Sequence, residues 1–296
     1  MRPFDAKSFP IPVRVIGPGS QPEDDEPLAF MPMPQSMSTF SMPQVPEHAD
    51  AHALARVRRL LGVLFERMQT WNGGDCTIDI ASLDPQATAL LNELLGAGEV
   101  SVRVRRDTGE LRIQETVFAG VWRVLAYASH GTLEGDRLVA GAMPQAVLDA
   151  ARGAALPLLP PVALPAAAMN SPPLLTEIRD NARRRKLSGG GSAHVINLSL
   201  LPLTPEDHQV LNQALPVGPV AIMSKSFGNC RVTSTGTRDV WRVQYFNSMQ
   251  TMILNTIEIV DVPEVALASA DDIADSRARI ADLIAWLDES APQAMS

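Results

Sequence analysis

The stretch Val121-Trp122-Arg123-Val124 occurs a second time as Val240-Trp241-Arg242-Val243, 119 residues further along the chain. Leu91-Asn92 returns as Leu211-Asn212, Gly98-Glu99-Val100 as Gly218-Pro219-Val220, and Gly109 as Gly228. Upstream, Leu83-Asp84-Pro85 matches Leu203-Thr204-Pro205; downstream, Pro144 matches Pro263. The spacing of these anchors changes by one residue in the turn before Gly109 and Gly228, where losing a residue costs little. Anchors that keep one order over so long a stretch read as a tandem duplication, with copies at 78–152 and 195–269.

Each copy has the same local grammar. Asp84-Pro85 and Thr204-Pro205 place an N-cap residue before a proline at the first helical position, a helix start. The spacing predicts helices to about Gly96 and Leu215. Val100, Val102 and Val104 alternate with Ser101, Arg103 and Arg105, the period of a strand. Asp107-Thr108-Gly109 turns the chain into Leu111 and Ile113, a hairpin. Val121 to Tyr127 reads as a third strand and Arg137 to Met143 as a fourth. Pro144 then opens a short helix over Gln145 to Arg152. The expected class is α+β: a helix plus a four-stranded antiparallel sheet, doubled with a pseudo-twofold relation. Side-by-side and face-to-face packing of the copies are both open.

The remaining segments differ in character. Residues 1–46 are dense in proline and carry Met31, Met33, Met37 and Met42, which predicts an extended N-terminal arm. Across 47–77, Leu54, Val57, Leu60, Leu61, Leu64, Phe65, Met68 and Trp71 recur at helical spacing, giving a long amphipathic helix. Between the copies, 153–194 reads as a proline-rich linker, a basic helix over Glu177 to Leu187, and a Gly189-Gly190-Gly191-Ser192 hinge. Residues 270–296 supply a last helix, Asp271 to Asp288, and a tail.

Composition narrows the function. The 296 residues carry a formal net charge of −8, which argues against a nucleic-acid binder. Two cysteines, Cys76 and Cys230, cannot make a disulfide framework, a four-thiolate zinc site or an iron–sulfur cluster. That usage fits a reducing compartment. No stretch has the length and apolarity of a membrane span, and the N-terminus has no signal-peptide pattern. A cytoplasmic location is expected.

A search for chemistry returns little. Cys230 takes the place of Leu111 in the repeat register, so a buried structural thiol is expected. Cys76 follows the Gly73-Gly74 turn and as a nucleophile would need a histidine base. His48 and His52 stand four apart, but two ligands do not make a metal site. The glycine stretches lack the Gly-Lys-Ser/Thr ending of a phosphate loop. Glu115 shares strand parity with Leu111 and Ile113, where burial would raise its pKa; its counterpart is Ser234. Parity turns Trp122 and Trp241 toward a core and leaves Arg123 and Arg242 for ion pairing or partner contact. Arg183-Arg184-Arg185-Lys186 reads as a solvated helix face. No catalytic residue, metal or cofactor is assigned.

Beyond this reading stands a resemblance. Ile16-Gly17-Pro18-Gly19-Ser20-Gln21-Pro22-Glu23-Asp24 and Phe30-Met31-Pro32-Met33-Pro34 resemble the N-terminal signature of the hydrogenase-expression proteins called HupH, HyaF or HoxQ. Gln114-Glu115-Thr116 through Val124, and Asp239 through Tyr245, resemble their duplicated C-terminal region. The resemblance implies a non-enzymatic accessory protein, or chaperone, for maturing uptake [NiFe]-hydrogenases. It would bind the iron–sulfur small-subunit precursor, and other maturation factors with it, before twin-arginine export. No catalytic residues carry over. The partner-binding candidates are Gly17, Pro18, Gly19, Ser20, Gln21, Met31, Met33, Glu115, Arg123 and Arg242. Two other readings stay open: an enzyme of unrecognised type using Cys76 or Glu115, and a self-associating structural module.

Overall fold

The computed structural model describes residues 50–225 and 229–290. The proline-rich arm, with Gly17 to Gln21, Met31 and Met33, lies outside the described residues, as do His48 and Gly228.

The first half runs α1 (Ala51–Gln69), β1 (Cys76–Asp79), α2 (Pro85–Leu95), β2 (Val100–Arg106), β3 (Gly109–Glu115), β4 (Val121–Ala128), β5 (Leu133–Ala140) and α3 (Gln145–Gly153). The second runs α4 (Ser171–Ser188), β6 (His194–Asn197), a 3₁₀ turn Leu198–Leu200, α5 (Pro205–Ala214), β7 (Val217–Ser224), β8 (Asn229–Thr235), β9 (Val240–Phe246) and β10 (Met252–Ile259). A 3₁₀ turn Glu264–Ala266 and α6 (Ala270–Ser290) close the chain. All ten strands form one sheet in the order β1-β5-β4-β3-β2-β7-β8-β9-β10-β6, every neighbouring pair antiparallel.

The fold is therefore α+β with a large antiparallel sheet, and it corrects the four-stranded expectation. Each half supplies five strands, and β2 pairs with β7, so the halves lie side by side. The seam is centred on Val102 opposite Ile222, with Val100 opposite Ser224 and Val104 opposite Val220. The strands missed in the sequence are β1 and β6, each of four residues and each on an outer edge. So short a run carries no usable alternation, and a short edge strand offers few unpaired backbone groups to another chain.

Local chemistry sets the helix ends. Asp84 caps α2 by accepting from Ala87 N at 2.8 Å, with Pro85 in the first turn. Thr204 and Asp207 form a reciprocal capping box on α5. α1 stops at Gln69, short of Trp71, whose indole N–H instead donates to Gly74 O at 2.7 Å. α4 begins at Ser171, not Glu177: Pro172 and Pro173 fall in its first turn, where no backbone donor is needed. Part of the proline-rich linker is thus helix. β5 begins at Leu133, ahead of Arg137, because Gly131 at φ 88° closes the hairpin early. Pro144 opens a full helix, whereas Pro263 opens only the turn Glu264–Ala266.

Three cores hold these elements together. On one face, α1, α2 and α6 bury Val121, Leu138 and Ala140, while α4 and α5 bury Ile196, Val240, Ile257 and Ile259. The opposite face is a single core shared by both halves, running from Val139 and Trp122 through Val102, Val104, Val220 and Ile222 to Val232, Val243 and Trp241. α3 seals its middle with Val147 and Ala151 and lies over β2 and β7. At about 25 cal/mol per Å² of apolar surface, this shared layer is a principal term in stability.

Candidate functional site: strand arginines over a tryptophan layer

The twinned stretch adopts one geometry in both places. Thr116 and Thr235, both buried, accept through Oγ1 from the backbone N of Phe118 and Thr237 at 3.2 Å in each case. The next residues turn on Gly120 and Asp239, both with positive φ. The carbonyls of these two accept from Gly141 N and Val260 N, again both at 2.9 Å. Trp122 then donates its indole N–H to Gly141 O at 2.9 Å, and Trp241 donates to Val260 O and Asp261 O at 3.1 Å. Both rings are buried in the shared core. The tryptophans are structural pins, with the polar edge satisfied as a buried indole requires.

One residue on, the pleat sends Arg123 and Arg242 to the helix-bearing face. Arg123 makes a two-point bond to Asp136, Nε to Oδ1 at 2.9 Å and Nη2 to Oδ2 at 2.6 Å. Arg242 Nη2 donates to Asn212 Oδ1 at 2.8 Å. The two arginines thus occupy equivalent strand positions with different anchors.

Glu115 lies elsewhere. It ends β3 on the shared-core face, buried, with its carboxylate accepting from Gly120 N at 3.1 Å. Burial pushes its pKa up to about 7, against the pull of that backbone bond. The structure does not bring Glu115 together with Arg123 or Arg242. Its role in the fold is to brace the turn before β4.

The cysteines are far apart, Cys76 on the edge strand β1 and Cys230 on β8, with five strands between them. Cys230 is fully buried on β8, where burial pushes the thiol up to about 12, beside Tyr245, whose hydroxyl burial also raises to about 12. Cys76 is half-buried and donates from Sγ to Arg67 O at 3.5 Å. Among the described residues, no three His, Cys, Asp or Glu side chains gather as a metal site. A shallow depression at the N-termini of α1 and α2 is lined by Asp50, His52, Arg56 and Asp84. There Asp84 already holds Arg56 at 3.0 Å. Arg185, expected on a solvated face, is buried: it pairs with Asp261 at 2.9 Å and donates to Gly191 O at 2.9 Å.

Two pairs escaped the sequence reading. Arg112 stacks on the Tyr127 ring at 4.5 Å, and Arg231 stacks on Phe246 at 5.2 Å. Both lie on the helix-bearing face, and residue by residue the second pair is the first displaced by 119. That displacement was the signal that could have found them. Arg103 and Arg112 also bind Glu110 between them, Arg103 Nη2 at 2.7 Å, and hold its carboxyl below the usual range.

Fold and site together define an α+β protein with strand arginines on one face of a large antiparallel sheet and a buried tryptophan layer on the other. Its family is shown by similarity. Residues 56–155 and 168–287 each match the model of the HupH hydrogenase expression protein C-terminal conserved region, and the chain belongs to that family. It is 40% identical over 283 residues to the hydrogenase expression/formation protein HoxQ of Cupriavidus necator, covering 95% of this chain and 98% of that one. It is 41% identical over 283 residues to HupH of Rhodobacter capsulatus, covering 94% and 98%. The hydrogenase-1 operon protein HyaF of Escherichia coli is 34% identical over 286 residues, covering 94% and 97%. A solved hydrogenase expression protein HupH from Thiobacillus denitrificans aligns with a TM-score of 0.36 at 31% identity, over 39% of this chain and 95% of that chain. Among the described residues, no helix is long and apolar enough to cross a membrane.

Proposed function

We propose that this protein is a non-enzymatic accessory factor in hydrogenase maturation, and that it binds the iron–sulfur small-subunit precursor before twin-arginine export, in the cytoplasm. The observation that carries the reading is similarity over nearly the whole length to two proteins named for hydrogenase expression and formation and to a hydrogenase-1 operon protein. The side chains support a binding role: Glu115, Cys230 and both tryptophans are committed to the fold, while Arg103, Arg105 and Arg112 line an accessible sheet face. On this reading the chain is a tandem duplication, supported by the recurring hydrogen bonds and by a seam centred on the equivalent positions Val102 and Ile222. The proline- and methionine-rich arm, through Gly17 to Gln21, Met31 and Met33, and the face bearing Arg123 and Arg242 share the contact.

The test is co-purification of the tagged small-subunit precursor with the intact chain, with a chain lacking residues 1–46, and with Arg123→Ala/Arg242→Ala. Capture by the intact chain and loss in the other two supports the reading. Failure of the intact chain to retain the precursor, with normal hydrogenase maturation in a strain lacking the protein, would refute it.

A further inference from the structure

Helices α1 and α4 hold matching places in the two halves. Each leads into an edge strand, and Val57 in one and Ile178 in the other are wholly buried. One residue further on stand Arg58 and Arg179. What lies against the two helices differs. The C-terminal helix α6 packs on α1, where Arg58 Nη2 donates to Asp288 Oδ2 at 2.8 Å. α4 packs on α5 and β10, and the linker adds Leu159 and Ala168 to that core. Among the described residues, no helix takes on α4 the place that α6 takes on α1.

The exposed side of α4 is cationic. At 3.6 residues per turn, Arg179, Arg183 and Lys186 fall within an arc of about 60°. Arg183 and Lys186 are exposed and Arg179 is half-exposed, and among the described residues none of the three has an ion-pair or hydrogen-bond partner. Of the carboxylates on this helix, Glu177 is held by His194 at 2.7 Å, and Asp180 lies one turn from Arg184, which offsets its charge. α6 carries the opposite sign: Asp271, Asp275, Asp282 and Glu289, all exposed, fall within an arc of about 40°. Asp275 has Arg279 at 3.9 Å, and that arginine also stacks on Phe118 at 5.1 Å. Among the described residues, the other three have no cation within ion-pair distance. An exposed apolar side chain borders each stripe, Leu187 on α4 and Trp286 on α6.

We propose that the cationic stripe of α4 is a docking surface for a second copy of this chain, whose α6 lays its acidic stripe along it in a closed two-fold dimer. Three features select that occupant. The stripes are complementary in sign and spacing, since Arg179 to Lys186 and Asp275 to Asp282 are each seven residues apart. α4 and α6 lie on the same face of the sheet, over opposite sides of it. One two-fold axis through the middle of that face therefore brings each α4 against the other copy's α6, and the two identical contacts close the assembly. A single helix-on-helix contact is small for a stable interface; the symmetry doubles it. Finally, Arg58 and Asp288 already join α1 to α6 within one chain, so the dimer repeats at α4 a pairing that the fold uses at α1. The net charge of −8 holds copies apart in other orientations, where like charges meet. The dimer is independent of any hydrogenase client.

The experiment is sedimentation velocity of the full-length protein over a concentration series. A monomer–dimer equilibrium is expected, with no larger species. Arg179→Glu/Arg183→Glu/Lys186→Glu and, separately, Asp275→Lys/Asp282→Lys/Glu289→Lys should each weaken the dimer about tenfold or more, because each sets like charges face to face. An equimolar mixture of the two variants should sediment as a dimer again: reversed α4 then meets reversed α6, and unreversed meets unreversed. No loss of structure would mimic that recovery. Arg179→Gln/Arg183→Gln/Lys186→Gln should weaken the dimer by a smaller factor, and serves if a reversed variant fails to fold by circular dichroism. Arg59→Gln/Arg106→Gln, outside both stripes, should leave it unchanged. A parent that stays monomeric throughout, a dimer unmoved by both reversals, or a mixture that stays monomeric overturns the proposal. Species that grow beyond the dimer with concentration would replace the closed pair by an open chain and overturn the two-fold. A monomeric parent that binds labelled hexaglutamate, with binding lost in the α4 variants, would assign the stripe to a different acidic protein.

Discussion

Gly120 and Asp239 stand at the same place in two turns and share a left-handed backbone, with φ of 79° and 58°. One position keeps glycine because α6 presses on it: a Cβ at Gly120 would lie 2.5 Å from Ile273 Cγ1. At the other, the aspartate accepts from Nε of Arg152, on α3, at 2.8 Å. The same turn is thus specialised by its neighbours.

Gly120→Ala combines a disfavoured backbone with a steric overlap, and should cost about 2–4 kcal/mol in denaturant unfolding. Asp239→Gly relieves about 1 kcal/mol of strain but drops the Arg152 pair, and should fall within about 1 kcal/mol of the parent. Equal losses at the two sites would contradict this account.

Glu115 makes stability depend on pH. Its folded pKa of about 7 lies above the ordinary value of 4.5, so the folded protein holds a proton that the unfolded chain has released. Stability therefore falls as pH rises between these values, by at most about 3 kcal/mol, and does not return above them. Glu115→Gln keeps an oxygen for Gly120 N. It should match the parent at about pH 4 and exceed it at about pH 8, as chemical denaturation at the two pH values will register.

The thiols should differ sharply in reactivity. Cys230 is buried with its pKa near 12, so the thiolate is scarce and out of reach. A thiol reagent should label Cys76 alone in the folded protein and both residues in denaturant. Prompt labelling of Cys230 under native conditions would show that the shared core opens.

Asp207 joins two helices. Burial alone would push its pKa up, but bonds from Ser171 N at 2.8 Å, Asn170 N at 3.0 Å and Thr204 N at 3.1 Å hold it at about 2. The stability it lends is present above the unfolded value of 3.8 and is lost as pH falls through about 2. Asp207→Ala strands these donors and should cost about 2–4 kcal/mol in denaturant unfolding, with the loss shrinking toward low pH.

Much of this architecture was legible in the sequence because periodicity and capping are local. The hairpin β2–β3, the caps Asp84 and Thr204, and the inward tryptophans all follow from spacing within a few residues. What stayed hidden depends on distant partners. β1 and β6 are strands only because β5 and β10 offer them an edge. Arg185 reads as one more basic residue until Asp261, far along the chain, closes on it. Arg123 was legible as a surface candidate, yet its tie to Asp136 needs the β4–β5 register. The stacked Arg112 and Arg231 were within reach of the sequence, since the displacement that pairs the tryptophans also pairs them.

The seam between β2 and β7 gives the gene a property its length conceals. Because one valine-rich layer serves both halves and α3 straddles the join, neither half can satisfy its inner surface alone. Produced as two polypeptides broken near Ala166, each fragment should precipitate, and co-expression should restore a soluble heterodimer detectable by size-exclusion chromatography. The linker then matters for stoichiometry: it guarantees every half its complement at the moment of synthesis.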